Sequence, residues 1–419
     1  MAVRQDRIPV AVLDPDGPPG LAFIRSLGSR GVPVDAFSSA RTACGRWSRH
    51  LRGFSRSPAV GTEAFVPWLA ERLAAGSITH VAPTSDYTVW AVAQARERVG
   101  LDVPPGGVSL PAAWRCLHKP TFDDVAAAAG FDPLGSALPT SVDEAIDAFR
   151  AAAGPVVIKP RSHVGVGAGR GTIAATEAEV RSAFTPATVA LHEREALDLD
   201  PDLAWPMLQD FVGGPTTDVV SVSGCLRTDG SAAAVGHSAK LSQWPPGLGI
   251  GSLFERRAPI DSSPAAIEVV RAALGSGVFE IEVLLDEASG RAWPIDLNPR
   301  GYGQMSLAIA AGDDLPGEWY RLATGTELDV VPTDGEADLW VSAMAHHPGA
   351  LAGLVVGPDR RARAAALRDL ARRDRVGAAF RLDDPIPGVV LGAGMLRHPG
   401  SLVRPFLRSE NQRSGSNGS

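Results

Sequence analysis

Near the end of an apolar run, WPIDLNPR places an acid, Asp296, and an amide, Asn298, two residues apart. Side chains alternate along a β-strand, so both project from one face while Ile295 and Leu297 project from the other. Buried without partners, two such groups cost free energy. As hard oxygen donors on one face, they suit Mg²⁺, which takes a few carboxylates together with substrate phosphates. An ordinary strand end with turn residues is the other reading of the same eight residues. The longer stretch FEIEVLLDEASGRAWPIDLNPR reads as a hairpin with its loop at Glu287 to Gly290, which sets Glu282 opposite Asp296 and Asn298. The expected metal set is therefore Glu282, Asp296 and Asn298; a solvent-facing polar group backed by Ile281, Val283, Ile295 and Leu297 fits the same pattern.

Upstream, PVVIK ends in Lys159 just before HVGVGAGRG, which carries Gly165, Gly167, Gly169 and Gly171. A lysine there meets phosphate oxygens while unencumbered backbone N–H groups wrap the terminal phosphates. A surface lysine beside a flexible turn is the alternative. The spacing is neither a P-loop nor a dinucleotide fingerprint. PMLQDFVGG then runs apolar residues into Gln209, Asp210, Phe211 and Val212; its backbone could pair with an adenine edge, or it is a plain edge strand. Lys119, Lys240, Arg256, Arg257 and Arg300 are the cations near these segments. Arg300 is placed to stabilise charge developing on a transferring phosphoryl group, although any one of them also reads as a solvated surface charge.

These residues need elements to hold them. Ile8 to Leu13, the turn DPDGPPG, a helix with Leu21, Ile24 and Leu27, and Val32 to Phe37 form a βαβ unit, hence a parallel sheet with a right-handed crossover. The turn's prolines remove N–H donors, so it reads first as a connection from strand to helix and only second as a phosphate-binding loop. A helix from Thr62 to Ala75, the strand ITHVAP and a helix from Tyr87 to Val99 complete this part. Helices TFDDVAAAAG, VDEAIDAFRAAAG and TEAEVRSAF follow, ended or flanked by glycine and polar residues. DVVSVSG and SAAAVGHSAKL pair antiparallel across Asp229-Gly230, and SLAIAAG is a helix after the hairpin. The expected architecture is α/β with α+β lobes: residues 1–112, a second domain at 113–328 with a lobe boundary near 205, a small α+β piece at 329–408 and a polar tail at 409–419. The arginine-rich helix from Asp359 to Arg375 reads as a solvated face.

The formal net charge of -7 over 419 residues offers no basic field for nucleic acid or an anionic membrane. Three cysteines, Cys44, Cys116 and Cys225, supply neither a disulfide framework nor a zinc pattern and fit a reducing compartment. No signal-peptide core and no run long enough to span a bilayer occurs. The expected setting is the cytoplasm, with no nucleic-acid or membrane partner.

The order Lys119, PVVIK with its glycine loop, LQDFVGG and FEIEV…PIDLNPR resembles the ATP-grasp superfamily over roughly residues 5 to 325, most closely the carboxylate–amine ligase branch with D-alanine–D-alanine ligase and carbamoyl-phosphate-synthetase-like ligases. The resemblance implies ATP with Mg²⁺ (or Mn²⁺), small carboxylate and amine substrates of amino-acid type, and a chain that could form homodimers. Lys119 and Lys159 would bind ATP phosphates under the loop from Gly165 to Gly171. Gln209 would approach the adenine amino group, Asp210 and Val212 the ring beside Phe211, and Asp218 the ribose. Glu282, Asp296 and Asn298 would hold Mg²⁺; Arg300 would steady an acyl phosphate, and Lys240 would lie near the triphosphate. In PTSD, Thr84, Ser85 and Asp86 would lie near the substrate cleft. Two departures stand out: Asp296 where Glu is usual, one methylene shorter, and Gln209 where an acid is frequent. A bicarbonate-using reaction through carboxyphosphate, or a nucleotide-binding module without turnover, remains an alternative to amide formation.

Overall fold

The computed structural model describes residues 7–165, 171–189, 193–214, 216–244, 248–329, 337–342 and 375–396. Strands β1 (Val10–Leu13), β2 (Val34–Ser38), β3 (Gly53–Arg56) and β4 (His80–Ala82) form an all-parallel sheet in the order β3-β2-β1-β4. All four residues of β1 are buried, as befits a parallel strand covered on both faces. Val10 and Val12 pack with Phe23, Ile24 and Leu27 of the helix Pro18–Gly28. Ala11 and Leu13 pack with Phe65, Leu69 and Leu73 of one helix and Ala91 and Ala95 of another, Asp86–Arg98. The βαβ reading holds, and the prolines of DPDGPPG open the helix, where a missing N–H is harmless. Burial, with mutual repulsion for Asp14, raises the Asp14 and Asp16 carboxyls in this turn. Two acids and few donors make it a poor phosphate cradle.

A second, antiparallel sheet, β5 (Ser136–Ala137), β6 (Val156–Lys159), β7 (Thr172–Ala174) and β8 (Met207–Asp210), has the order β5-β8-β6-β7. Because β8 belongs here, this lobe runs to residue 210, past the expected boundary near 205. Helices Val142–Ala151 and Glu177–Ala183 cover it, with Ile146, Val180 and Phe184 buried against Val156, Ile158 and Leu208.

The third sheet joins β9 (Thr217–Leu226), β10 (Ala232–Trp244), β11 (Ile250–Arg256), β12 (Gly277–Asp286), β13 (Ala292–Asn298), β14 (Leu339–Val341) and β15 (Arg375–Gly377) in the order β13-β12-β9-β10-β11-β14-β15. Its pairs are antiparallel except β14 with β15. One face is apolar: Val220, Val222, Ile281, Val283 and Leu297 bury against Ala266, Val269, Val270 and Ala273 of the helix Ser263–Leu274. The other face is polar and carries the site.

Two arrangements differ from the expected division. Residues 339–341 and 375–377, taken as part of a separate C-terminal piece, extend the third sheet at its β11 edge. Residues 379–384 also lock onto the first domain. Arg25 donates to Asp384 Oδ2 at 2.9 Å and to the Ala379 and Asp384 carbonyls, while Ser48 Oγ and the Arg49 N–H donate to the same carboxylate. A buried ion pair is tolerated when its remaining hydrogen-bonding capacity is met, as it is here. The expected arginine-rich helix at 359–375 and the tail at 409–419 lie outside the described residues, apart from Arg375.

Candidate active site

Antiparallel register assembles the acids. Across β12 and β13, Glu282 pairs with Asp296 and Glu280 with Asn298. Across β9, Glu282 pairs with Ser221 and Glu280 with Ser223. Paired residues share a face, so Glu280, Glu282, Asp296 and Asn298 stand together. The expectation that Glu282 faces both Asp296 and Asn298 is corrected: Asn298 lies opposite Glu280, which sequence reading passed over. Period two applied to FEIEV carries the missing signal, since Glu280 and Glu282 must project alike.

Each carboxylate meets a cation or an amide. Lys119, first residue of the helix Lys119–Ala128, donates to Asp296 Oδ1 at 2.9 Å. Lys240 of β10 pairs with Glu282 Oε1 at 2.8 Å. Asn298 Nδ2 donates to Glu280 Oε2 at 3.2 Å and Gln304 Nε2 to Oε1 at 2.5 Å. Burial works against Asp296 and Lys240 in their charged forms, but Lys119 holds the Asp296 carboxyl well below the usual range and Glu282 raises the Lys240 ammonium. Glu280 has no such cation. Burial, reinforced by the Glu282 charge, pushes it up to about 7.

The first domain reaches into this cluster through Asp86, at the start of helix Asp86–Arg98. Arg300 donates to Asp86 from Nε at 2.6 Å and from Nη2 at 3.1 Å, and to Asn298 Oδ1 at 2.7 Å. Arg300 thus bridges the last metal-candidate residue and the first domain in the forked geometry guanidinium favours. His163, just before the glycine-rich segment, lies 3.1 Å by Nδ1 from Asp86 Oδ2 and 3.8 Å by Nε2 from Asp296 Oδ1. Although burial opposes ionisation of Asp86, Arg300 and His163 hold its carboxyl far below the normal range. Asp86 is therefore occupied by Arg300 and His163 rather than pointing open to a substrate. Thr84 is buried, donating to the Leu13 carbonyl, and Ser85 caps the helix by accepting from the Thr88 N–H.

In the second lobe, Lys159 donates to Gln209 Oε1 at 2.7 Å, and Gln209 Nε2 donates to Ser136 Oγ at 3.1 Å and Asp123 Oδ2 at 3.3 Å. Gln209 is 4% exposed and its amide is spent on orienting Lys159, so the expected adenine contact by this side chain is not available in this arrangement. The Asp210 N–H donates to the Gly135 carbonyl at 2.8 Å and the Phe211 N–H to the Pro155 carbonyl at 3.0 Å. Those two N–H groups are committed to the fold; Phe211 and Val212, both half-buried, continue the chain from β8. Asp218 is exposed, and alternation along β9 puts it on the face of Val220 and Val222, away from the acids. A ribose contact beside the acids is set aside on that ground. Gly165 takes φ +85, where a Cβ would lie 2.8 Å from Leu203 Cδ2. Gly167 and Gly169 lie outside the described residues.

Burial, aided by the nearby Lys119 charge, lowers the Lys159 ammonium to about 7. A neutral amide partner does little to oppose this. For a lysine depressed from 10.5, the unfolded chain holds the proton more firmly; stability therefore rises as pH climbs from about 7 towards 10.5, while cationic phosphate binding weakens over the same window. Gln209→Glu supplies a counter-charge and is expected to flatten both trends. Unfolding midpoints and ADP titrations across about two pH units around neutrality measure this; ADP affinity independent of pH in the unaltered chain would contradict it.

The donor set suits a hard divalent ion: three carboxylates and an amide oxygen on one face, with Glu280 short of positive charge. Among the described residues, no three His, Cys, Asp or Glu side chains are arranged to hold a metal ion between them; Lys119 and Lys240 stand against two of the carboxylates.

The three-sheet arrangement with a cation-bearing small lobe over an acid-bearing large sheet is the ATP-grasp fold. Among the solved structures that share it, the following three do so at low sequence identity. N5-carboxyaminoimidazole synthetase from Staphylococcus aureus superposes with a TM-score of 0.57 at 14% identity, covering 77% of this chain and 78% of its own. A biotin carboxylase–ATP complex from Campylobacter jejuni gives 0.58 at 15%, covering 78% and 72%. L-amino acid ligase from Bacillus licheniformis gives 0.54 at 13%, covering 78% and 76%. By sequence, the chain matches no protein-family model and no curated protein. No helix among the described residues is long and apolar enough to cross a membrane.

Proposed function

We propose that the chain is an ATP-dependent carboxylate–amine ligase. The observation that carries this reading is the meeting of Glu280, Glu282, Asp296 and Asn298 with Lys119, Lys240 and Arg300 on one sheet face, opposite Lys159 of the smaller lobe. Phosphoryl transfer asks the protein mainly for positioning and charge neutralisation. Glu280, Glu282, Asp296 and Asn298 would supply the oxygen donors for Mg²⁺, which would neutralise phosphate oxygens, once Lys119 and Lys240 turn from Asp296 and Glu282 to the polyphosphate. Lys119, Lys159 and Lys240 bind the polyphosphate as point charges. Arg300, fixed by Asp86, Asn298 and the Gly301 carbonyl, keeps one Nη1 N–H for the carboxylate substrate as that group takes the γ-phosphoryl from ATP. An amine nitrogen then bonds to the acyl carbon, the C–O bond to phosphate breaks with its electrons, and the proton lost from nitrogen passes to solvent. An amide, ADP and phosphate result.

Hydroxylamine, supplied with ATP, Mg²⁺ and a panel of amino acids, is expected to trap a hydroxamate in step with ADP formation. ADP formed with no trappable acyl group overturns the acyl-phosphate route. ADP formation that needs bicarbonate moves the reaction to carboxylation.

A further inference from the structure

Along the helix that begins with Asp86 lies a cavity of about 270 Å³ that none of the assignments above uses. Tyr87, Trp90, Gln94 and Arg98 line it, recurring at helical spacing along one side of helix Asp86–Arg98. The stripe starts next to Asp86, the residue that holds Arg300, and runs about 16 Å outward at 1.5 Å per residue. Phe65 and Glu63 from the first domain form part of the opposing wall, and Glu193 and Glu195 close it from the central domain. Small-molecule sites favour such junctions between domains.

The lining selects the ligand's chemistry. Three carboxylates, Glu63, Glu193 and Glu195, and one guanidinium, Arg98, line the cavity, so acids outnumber cations along its wall. Trp90 Nε1 donates to Glu193 Oε2 at 3.0 Å and Gln94 Nε2 to Glu195 Oε2 at 3.1 Å, which fixes both carboxylates in place. Phe65, Tyr87 and Trp90 add aromatic surface, which favours cations as well as apolar groups. A phosphate or a bare carboxylate is repelled here and drawn instead to Lys119, Lys159 and Arg300. The volume lies at the small end for ligand pockets, sufficient for one amino-acid-sized molecule and too small for a nucleotide.

We propose that this cavity binds the amine substrate, and that this substrate is a primary amine, cationic in solution, with an aromatic or apolar body. The inference rests on the ligase reading and deepens it. Glu63 and Glu195 attract the ammonium group into the cavity, the rings hold its body, and the Tyr87 end of the lining adjoins Asp86, the residue that holds Arg300. Arg98, farthest along the stripe, meets a carboxylate where the amine belongs to an amino acid.

Calorimetric titration of the full chain with tyramine, phenethylamine and L-phenylalanine tests the proposal, with 3-phenylpropionate as the acid lacking an amine. At least one amine is expected to bind in a way that Glu195→Gln weakens, whereas the acid, drawn to Arg300, is expected to be indifferent to that substitution. Glu195→Gln, at an exposed position that the fold tolerates, is expected to weaken amine binding about tenfold, as loss of one charge-assisted contact predicts. Arg98→Gln should weaken L-phenylalanine while sparing tyramine. Mg²⁺–ADP is titrated in parallel. ADP binding without any amine binding, or amine binding indifferent to Glu195→Gln, overturns the cavity assignment and leaves the ligase reading standing. Failure of ADP to bind overturns the ligase reading itself.

Discussion

Asp296→Asn is expected to cut ADP formation by roughly a hundred- to a thousandfold, the usual scale for removing one preorganised electrostatic contact from a reacting centre. The substitution keeps side-chain shape and leaves an oxygen for Lys119 Nζ, now 2.9 Å from Asp296 Oδ1. It removes the negative charge that balances Lys119 and draws a divalent ion. Asp296→Ala is a harsher change, because it strands a buried ammonium, a kind of loss worth about 3–5 kcal/mol; its result mixes folding with chemistry. Glu280→Gln is less clean than Asp296→Asn for a related reason. Glu280 accepts from both Asn298 Nδ2 and Gln304 Nε2, so a glutamine must turn its own NH₂ against one of those donors. Both isosteric variants should lose Mg²⁺-dependent ADP formation while their unfolding midpoints stay near that of the unaltered chain for Asp296→Asn and fall modestly for Glu280→Gln. Full turnover in either variant would sink the assignment of this face.

The second large effect concerns Asp86, which touches no reacting atom in the proposed mechanism and acts through Arg300. Asp86→Asn leaves a single acceptor where Arg300 now uses two, at 2.6 and 3.1 Å, and where His163 approaches at 3.1 Å. A guanidinium freed from that fork swings on a flexible stem, and misplacement of about 1 Å costs on the order of a hundredfold in rate. The expected loss is in kcat, with the KM for ATP little changed, because Lys119, Lys159 and Lys240 are untouched. Arg300→Lys should lose more, since an ammonium cannot bridge Asp86 and Asn298 together. The deciding measurement is the double variant: a positioning role makes Asp86→Asn nearly silent once Arg300 is lysine, as expected for coupled neighbours. Simple addition of the two losses would show that Asp86 works independently of Arg300. Asp86→Glu, which restores a carboxylate one methylene away, should recover part of kcat.

Strand and helix spacing made much of this site readable. Hydrophobic alternation places β12 and β13 as a hairpin, and period two then brings Glu282 level with Asp296. The same rule, carried two residues further back, finds Glu280. Lys159 at a strand end before glycines, and Lys119 at a helix start, are also local patterns. His163 had no such signal: a lone histidine beside a glycine-rich segment reads as loop until its neighbours in space are known. Asp86 was visible only as part of a turn near the cleft, and its pairing with Arg300 spans 214 residues. Gln209 is on the expected strand, but its bond to Lys159 was not legible, because strand position does not say which lysine crosses over to it.

The amino-acid sequence by itself determined the elements, the order of the lobes and the acid–amide face of the hairpin, since these depend on side-chain periodicity and on contacts between chain neighbours. Tertiary structure alone decided that β14 and β15 complete the third sheet, that Arg25 and Asp384 tie the far end of the described chain to the first domain, and that Asp86 and His163 close the site from two different domains. Such pairings join residues tens to hundreds of positions apart. Burial and charge select them only after the chain has packed, so no local pattern records them.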